Sequence, residues 1–240
     1  MSSTPAPFHI AIDGPVAAGK GTISRLVAQR LNFLYVDTGA MYRMTGLLAL
    51  RAGVNPEDAE EVYRVVKAAK MDMRNPTDAE RDGRLTTVHL DGEDVSWKIR
   101  TEDVSAAASK VAQHVKVRQL LVSKQQEIAA SQNVIMEGRD ITFRVLPQAD
   151  LKIYLTASDI VRARRRFTEL LTKGQDVEFD TVYSDLISRD DRDMNRKTDP
   201  LHIVDEAWIV DTSDLEIDKV VDVIATRVSM LMQQKGLAPS

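Results

Sequence analysis

Short apolar runs alternate with amphipathic stretches along this chain. The runs are Phe8 to Ile12, Phe33 to Val36, Val134 to Met136, Leu151 to Leu155 and Ala207 to Val210. Each is short and β-rich, as a strand buried on both faces of a parallel sheet requires. Between them the period lengthens to that of a helix. Ile23, Leu26, Val27 and Leu31 mark one helical face. The final stretch opens at Ser213 with Glu216 three residues later, the spacing of a capping box. It turns Leu215, Val220, Val221, Ile224, Val228 and Leu231 inward and stops near Gly236. Five strands alternating with helices predict an α/β fold, a doubly wound five-stranded parallel sheet flanked by helices.

Two stretches break the alternation. From about 41 to 110 the chain is longer than one crossover needs. Within it, Asp82-Gly83 and Asp91-Gly92 are turn signals, and Leu85 to Leu90 is strand-like. This predicts a small inserted subdomain with a hairpin. From about 159 to 200 the chain is highly charged, which predicts helical arms projecting from the core. The expected organisation is one domain. Its core takes about 8–40, 111–158 and 197–240, its insert about 41–110, and its helical lid about 159–196.

Composition narrows the function. The net charge of −4 opposes a broad basic field and excludes a general nucleic-acid binder. With no cysteine, disulfides and thiolate metal sites are excluded. No stretch approaches the roughly 20 apolar residues of a membrane span. The opening MSSTPAP lacks a basic start and an apolar run, so it reads as a short disordered segment rather than a secretory signal. A cytoplasmic protein acting as a monomer is expected.

The candidate chemistry begins in FHIAIDGPVAAGKGTISRLVAQRL, which reads strand, glycine-rich turn, helix. Gly14 and Gly19-Lys20 have the spacing of a phosphate-binding loop, or P-loop, with Pro15, Val16, Ala17 and Ala18 between them. Backbone N–H groups of such a loop close around a triphosphate, and the helix N-terminus adds its dipole. Lys20 supplies a point charge to the β- and γ-phosphates. Gly21 follows Lys20, so Thr22 is the available hydroxyl and the candidate metal contact. No NKxD-like guanine reader and no LSGGQ segment is present, which leaves GTPase and ABC readings without support.

A kinase needs cations to clamp two anionic substrates. Arg189, Arg192, Asp193 and Arg196 share one helical stripe in ISRDDRDMNR, and Arg162, Arg165 and Arg166 form another in VRARRR. Two such stripes in an exposed arm make a lid that closes over phosphates; a solvated face laced with ion pairs is the plainer alternative. Arg43 and Arg139 follow sheet strands, at the edge where open α/β sheets bind ligands. His9, His89, His114 and His202 sit in unrelated contexts and read as structural or surface residues.

Together these motifs resemble bacterial cytidylate kinases, a family of P-loop nucleoside monophosphate kinases. The carrying segments are AIDGPVAAGKGT, DTGAMYR, LDGEDVSWKIRTEDVSAAASKVA, VRQLLVSKQQ, GRD and RDDRDMNR, in order over nearly the whole chain. The resemblance implies transfer of the ATP γ-phosphoryl to CMP or dCMP, with Mg²⁺ bridging phosphate oxygens near Thr22. It implies that Thr38, Arg43, Arg139 and Arg196 hold the acceptor phosphate. Ser109, Arg118 and Asp140 would read cytosine, and Arg189 and Asp193 would face the ribose. Lys20, Arg139, Arg189 and Arg196 are the expected catalytic set. Arg162 and Arg166, with the loop from Gly14 to Thr22, are expected on ATP. The chain departs from the family pattern at Thr38, where Ser is common, and at Glu137, where Asp is common. It departs again at Ile141 to Arg144 after GRD, and at Val115 and Lys116 before VR. A kinase for UMP or AMP, and a non-catalytic nucleotide sensor, remain the alternatives.

Overall fold

The computed structural model describes residues 6–80 and 82–237. Strand β1 (His9–Asp13) runs through the glycine-rich turn into α1 (Lys20–Leu31), which returns to β2 (Leu34–Asp37). Helix α2 (Thr38–Arg51) starts at once, followed by α3 (Ala59–Ala68) and three short strands, β3 (Met71–Arg74), β4 (Thr87–Leu90) and β5 (Glu93–Asp94). Helices α4 (Glu102–Val111) and α5 (Val115–Ala130) lead back to β6 (Val134–Gly138). A π-helical turn, Ile141–Val145, separates β6 from β7 (Leu151–Thr156). Helices α6 (Asp159–Thr172) and α7 (Phe179–Asn195) pack on each other, and β8 (Trp208–Asp211) and α8 (Ile217–Gln234) complete the order.

The five predicted strands form one parallel sheet in the order β2-β6-β1-β7-β8. The central strands are covered on both faces, which is why they read as unbroken apolar runs. On one face Ile10, Ile12, Ile153 and Leu155 pack against Val27 of α1 and Ile224 and Val228 of α8. On the other, Ala11, Val36 and Met136 pack against Met41 of α2 and Leu121 of α5. Among the described residues no helix is long and apolar enough to cross a membrane.

The predicted hairpin is part of a three-stranded antiparallel sheet, β3-β4-β5. Asp91 and Gly92 both take positive φ, +52° and +86°, as a two-residue turn of the right twist needs. The strand-like run begins only at Thr87, and Asp82-Gly83 lies in the connection before it. The partner β3, paired through Met71 to Leu90 and Met73 to Val88, escaped notice because Asp72 and Arg74 interrupt its apolar positions. Next to it the Asn75 amide bonds the free edge of β2, accepting from Tyr35 N at 3.0 Å and donating to Phe33 O at 2.8 Å.

The last helix differs from its predicted start. It begins at Ile217 with Glu216 as N-cap and no side-chain cap. Ser213 is taken up elsewhere: its hydroxyl donates to Asp211 Oδ1 at 2.6 Å and accepts from Ser158 N at 2.8 Å. Leu215, expected to point inward, therefore sits in the preceding loop with 46% of its surface exposed. The N-terminal segment expected to be disordered falls largely on residues 1–5, outside the described residues.

Helices α2 and α4 cross so closely that Gly46 is required at the contact. A Cβ there would lie 2.8 Å from Ala108 N and 2.9 Å from Val104 O. Both neighbours are helix backbone and cannot swing aside. Gly46→Ala would gain about 1 kcal/mol of helix propensity but incur about 1–3 kcal/mol of overpacking. The expected result is a lower denaturant midpoint than wild type, read by circular dichroism.

Candidate active site

The glycine-rich turn lies at the carboxyl end of β1. Gly14, at φ +152°, passes so near β7 that a Cβ would sit 2.0 Å from Leu155 O. Ala17 and Gly19 also take positive φ, and α1 starts directly after them at Lys20. The Lys20 side chain is buried and its Nζ donates to Pro15 O at 2.8 Å. Burial, and then the nearby Arg139 charge, push its ammonium pKa down to about 7. Such a depressed lysine marks a place short of negative charge.

Two further strand ends face this loop. Asp37, the last residue of β2, caps α2 by accepting from Ala40 N at 3.1 Å, and it pairs with Arg43 Nη2 at 2.5 Å. Arg43 Nε is buried without a partner. Thr38 donates its hydroxyl to Glu137 O at 2.8 Å, joining α2 to β6. The Glu137 carboxyl accepts from Tyr35 Oη at 3.0 Å. Burial raises its pKa, and the Lys20 charge opposes the rise.

Asp13 then fixes the chain beyond β6. It is fully buried and accepts from Ile141 N, Thr142 N and the Thr142 hydroxyl at 3.0, 2.8 and 2.6 Å. The two residues before that turn, Arg139 and Asp140, are thereby aimed in different directions. Arg139 Nε donates to Asp193 Oδ2 of α7 at 2.7 Å. Asp140 pairs with Arg118 of α5, and both side chains are buried. Arg118 also donates to Asp199 Oδ2 from Nε at 3.1 Å and from Nη2 at 3.0 Å, with its guanidinium 5.8 Å from the Tyr42 ring. Arg196 donates from Nε to Asp199 O at 2.7 Å and lies 3.6 Å from Asp140. Arg189 is exposed on α7 and makes no hydrogen bond among the described residues. Loss of hydration around its guanidinium, and then the Arg139 charge, lower its pKa.

Lys20, Arg43, Thr38, Arg139, Arg189, Asp193, Arg196, Asp140 and Arg118 thus gather at one sheet edge. Two expected members stand apart. Ser109 is exposed on α4 with its hydroxyl turned back to Ser105 O at 3.2 Å, and no hydrogen bond joins it to Arg118 or Asp140. Arg162, expected on an exposed stripe, is buried. Its donors go to Ala157 O, Val16 O, Asp159 and Asp190. Arg165 likewise donates to Thr212, at its hydroxyl and its carbonyl. Arg166 alone of that stripe is a plain surface cation, paired with Glu169 at 2.9 Å.

Beside the loop lies a cavity of about 270 Å³, walled by Ala17, Gly19, Thr22, Arg165, Thr212 and Leu215 among others. Sequence reasoning missed this wall because Leu215 fitted the apolar face of a longer helix. It also missed Asp199, whose one local sign is its place before Pro200, just past the last motif arginine.

The cytidylate kinase family model matches residues 10–230. A cytidylate kinase of Caldicellulosiruptor bescii is 44% identical over 213 residues, covering 89% of this chain and 92% of that protein. One of Pelotomaculum thermopropionicum is 44% identical over 229 residues, covering 95% and 98%. The chain belongs to the cytidylate kinase family. Membership makes it a kinase, a phosphotransferase that acts on nucleotides. Among solved structures, a shikimate kinase of Bacteroides thetaiotaomicron overlays with a TM-score of 0.43 and 15% identity over 94% of this chain and 98% of that one.

In this cytidylate kinase family member the Arg162–Asp190 pair, at 2.5 Å, is the buried tie between α6, α7 and the phosphate-binding loop. Arg162→Met strands the buried Asp190 carboxylate. A stability loss of about 3–5 kcal/mol is expected in urea titration. Arg166→Met, which breaks an exposed pair, should cost no more than about 1 kcal/mol.

Proposed function

We propose that the chain transfers the γ-phosphoryl of ATP to CMP, and to dCMP, in pyrimidine nucleotide metabolism. The observation that carries this reading is the adjacency of Arg139 and Asp140 at the end of β6. One faces the cation cluster beside Lys20, and the other faces the buried Arg118. A nucleoside monophosphate needs that arrangement, an anion holder and a base reader a few ångströms apart.

In this reading Thr38, Arg43, Arg139 and Arg196 take the acceptor phosphate, and the unpartnered Arg43 Nε is one donor ready for it. Arg189 and Asp193 face the ribose. Arg118 and Asp140 read cytosine, joined by Ser109 when the insert of about 41–110 closes. The loop from Gly14 to Thr22 wraps the triphosphate, with the donor base in the cavity by Thr212 and Leu215. Arg166 reaches the triphosphate as the lid of about 159–196 closes. Arg162 serves by holding α6 against Val16. All these residues come from one chain, so a monomer suffices, and the reading suits a cytoplasmic enzyme.

The acceptor phosphate is already an anion near neutral pH and needs no general base. The work of the site is positioning and charge neutralisation. Lys20 and Arg189 would stabilise the charge on the moving phosphoryl group, and closure would exclude water. The Thr22 hydroxyl and the Glu137 carboxylate, the latter beside Gly21, are hard oxygen donors of the kind that would hold Mg²⁺. Held by them, the ion would supply charge neutralisation to the phosphates.

Lys20→Ala should lose nearly all turnover with an intact fold. The depressed Lys20 also predicts a proton balance. At about pH 8 the free ammonium is mostly neutral, and bound phosphate restores its ordinary, higher pKa. ATP binding should then take up about one proton, seen as a dependence of calorimetric heat on buffer ionisation enthalpy. Lys20→Ala should abolish that uptake.

Base selectivity tests the acceptor side. Cytosine offers an amino donor to Asp140 and acceptors to Arg118, whereas uracil reverses two of these positions. Unpaired buried groups cost about 1–3 kcal/mol each, which predicts roughly tenfold to hundredfold preference for CMP over UMP in kcat/KM. Asp140→Ala should hurt CMP more than UMP. An unchanged CMP to UMP ratio would remove Asp140 from the base site.

A further inference from the structure

Arg118 has five N–H donors and two carboxylates competing for them. Asp199 Oδ2 takes the Nε and one Nη2 proton along one edge of the guanidinium. Asp140 takes the other Nη2 proton. That leaves the Nη1 group, held only by a long 3.4 Å bond to Ala112 O. Left alone with Asp140, a buried guanidinium would turn to the two-pronged pairing that arginine and carboxylate prefer. That pairing would consume Nη1 and both Asp140 oxygens together, the groups a base would need. Asp199 prevents it by fixing the opposite edge. The same residue is tied to the end of α7, because its carbonyl accepts from Arg196 Nε at 2.7 Å. Its backbone is held at φ +47°, a conformation Asp, Asn and Gly tolerate better than other residues.

We propose that Asp199 is a positioning residue for base selectivity, which holds the Arg118–Asp140 contact to a single prong and so leaves Arg118 Nη1 and one Asp140 oxygen able to read the acceptor's base. The inference rests on Arg118 and Asp140 being the base readers. Asp199 lies outside the motif segments that announce the family, and it touches no reacting group.

The test is steady-state kinetics with CMP and UMP for wild type, Asp199→Asn, Asp199→Gly and Asp140→Ala. Asn and Gly both keep the positive φ, so one covers for the other if folding suffers. For both Asp199 variants the KM for CMP should rise about tenfold, the scale of one lost charge-assisted hydrogen bond. The CMP to UMP ratio of kcat/KM should fall, while kcat and the KM for ATP stay within about twofold of wild type. Variants that match wild type for CMP, while Asp140→Ala loses the CMP preference, overturn the inference and leave the base readers standing. A joint decline of kcat and ATP binding shows a merely structural role and also overturns it. If Asp140→Ala keeps the CMP preference, the base readers are misassigned and the inference falls with them.

Discussion

Asp13 is sealed from water at the end of the central strand, and three donors from the turn beyond β6 converge on it. Burial raises its pKa even against those bonds, so the carboxylate is a costly group to keep there. What it secures is the turn that follows β6, beyond the last registered pair of the two strands, Asp13 and Gly138. β1 carries the phosphate-binding loop, β6 carries Arg139 and Asp140, and Asp13 links the end of the first to the exit of the second. The rest of the site inherits its geometry from that link, since Arg139 meets α7 and Asp140 meets α5 only from those positions.

A cluster of like charges is the other constraint. Lys20, Arg43, Arg139 and Arg189 stand near one another, and burial first, then the Arg139 charge, lowers the pKa of Lys20 and Arg189. The fold keeps the set together by lending it carboxylates: Asp37 to Arg43, Asp193 to Arg139, Glu137 toward Lys20. In the proposed complex, phosphate takes the place of these carboxylates. An entering anion exchanges partners with groups already in place, and little ordering remains to be done.

Much of this was legible in the sequence. Five apolar runs became the five strands of the sheet, and the G-x-x-x-x-G-K spacing placed the loop at the end of β1. What stayed hidden was which arginines would be free. Arg162 and Asp190 are 28 residues apart, Arg139 and Asp193 are 54, and Arg118 and Asp199 are 81. A helical stripe shows that Arg162, Arg165 and Arg166 share a face, and the tertiary packing then buried one, spent another on Thr212 and left the third in solvent. The start of α8 was misplaced for a related reason, since Ser213 had a partner across the sheet, Ser158, that local spacing does not reveal.

Asn75 gives the two edges of the sheet different characters. An edge strand offers a row of open donors and acceptors to any other extended chain. On β2 one side-chain amide occupies the Tyr35 N–H and the Phe33 carbonyl, the pair a neighbouring strand would use first. It imitates one residue of a sixth strand, and that is enough to spoil the template. The β8 edge carries no such plug among the described residues and presents a half-exposed Ile209. Growth of the sheet by addition of a foreign strand is thereby directed to one side only, away from the strand that supports Thr38 and Arg43.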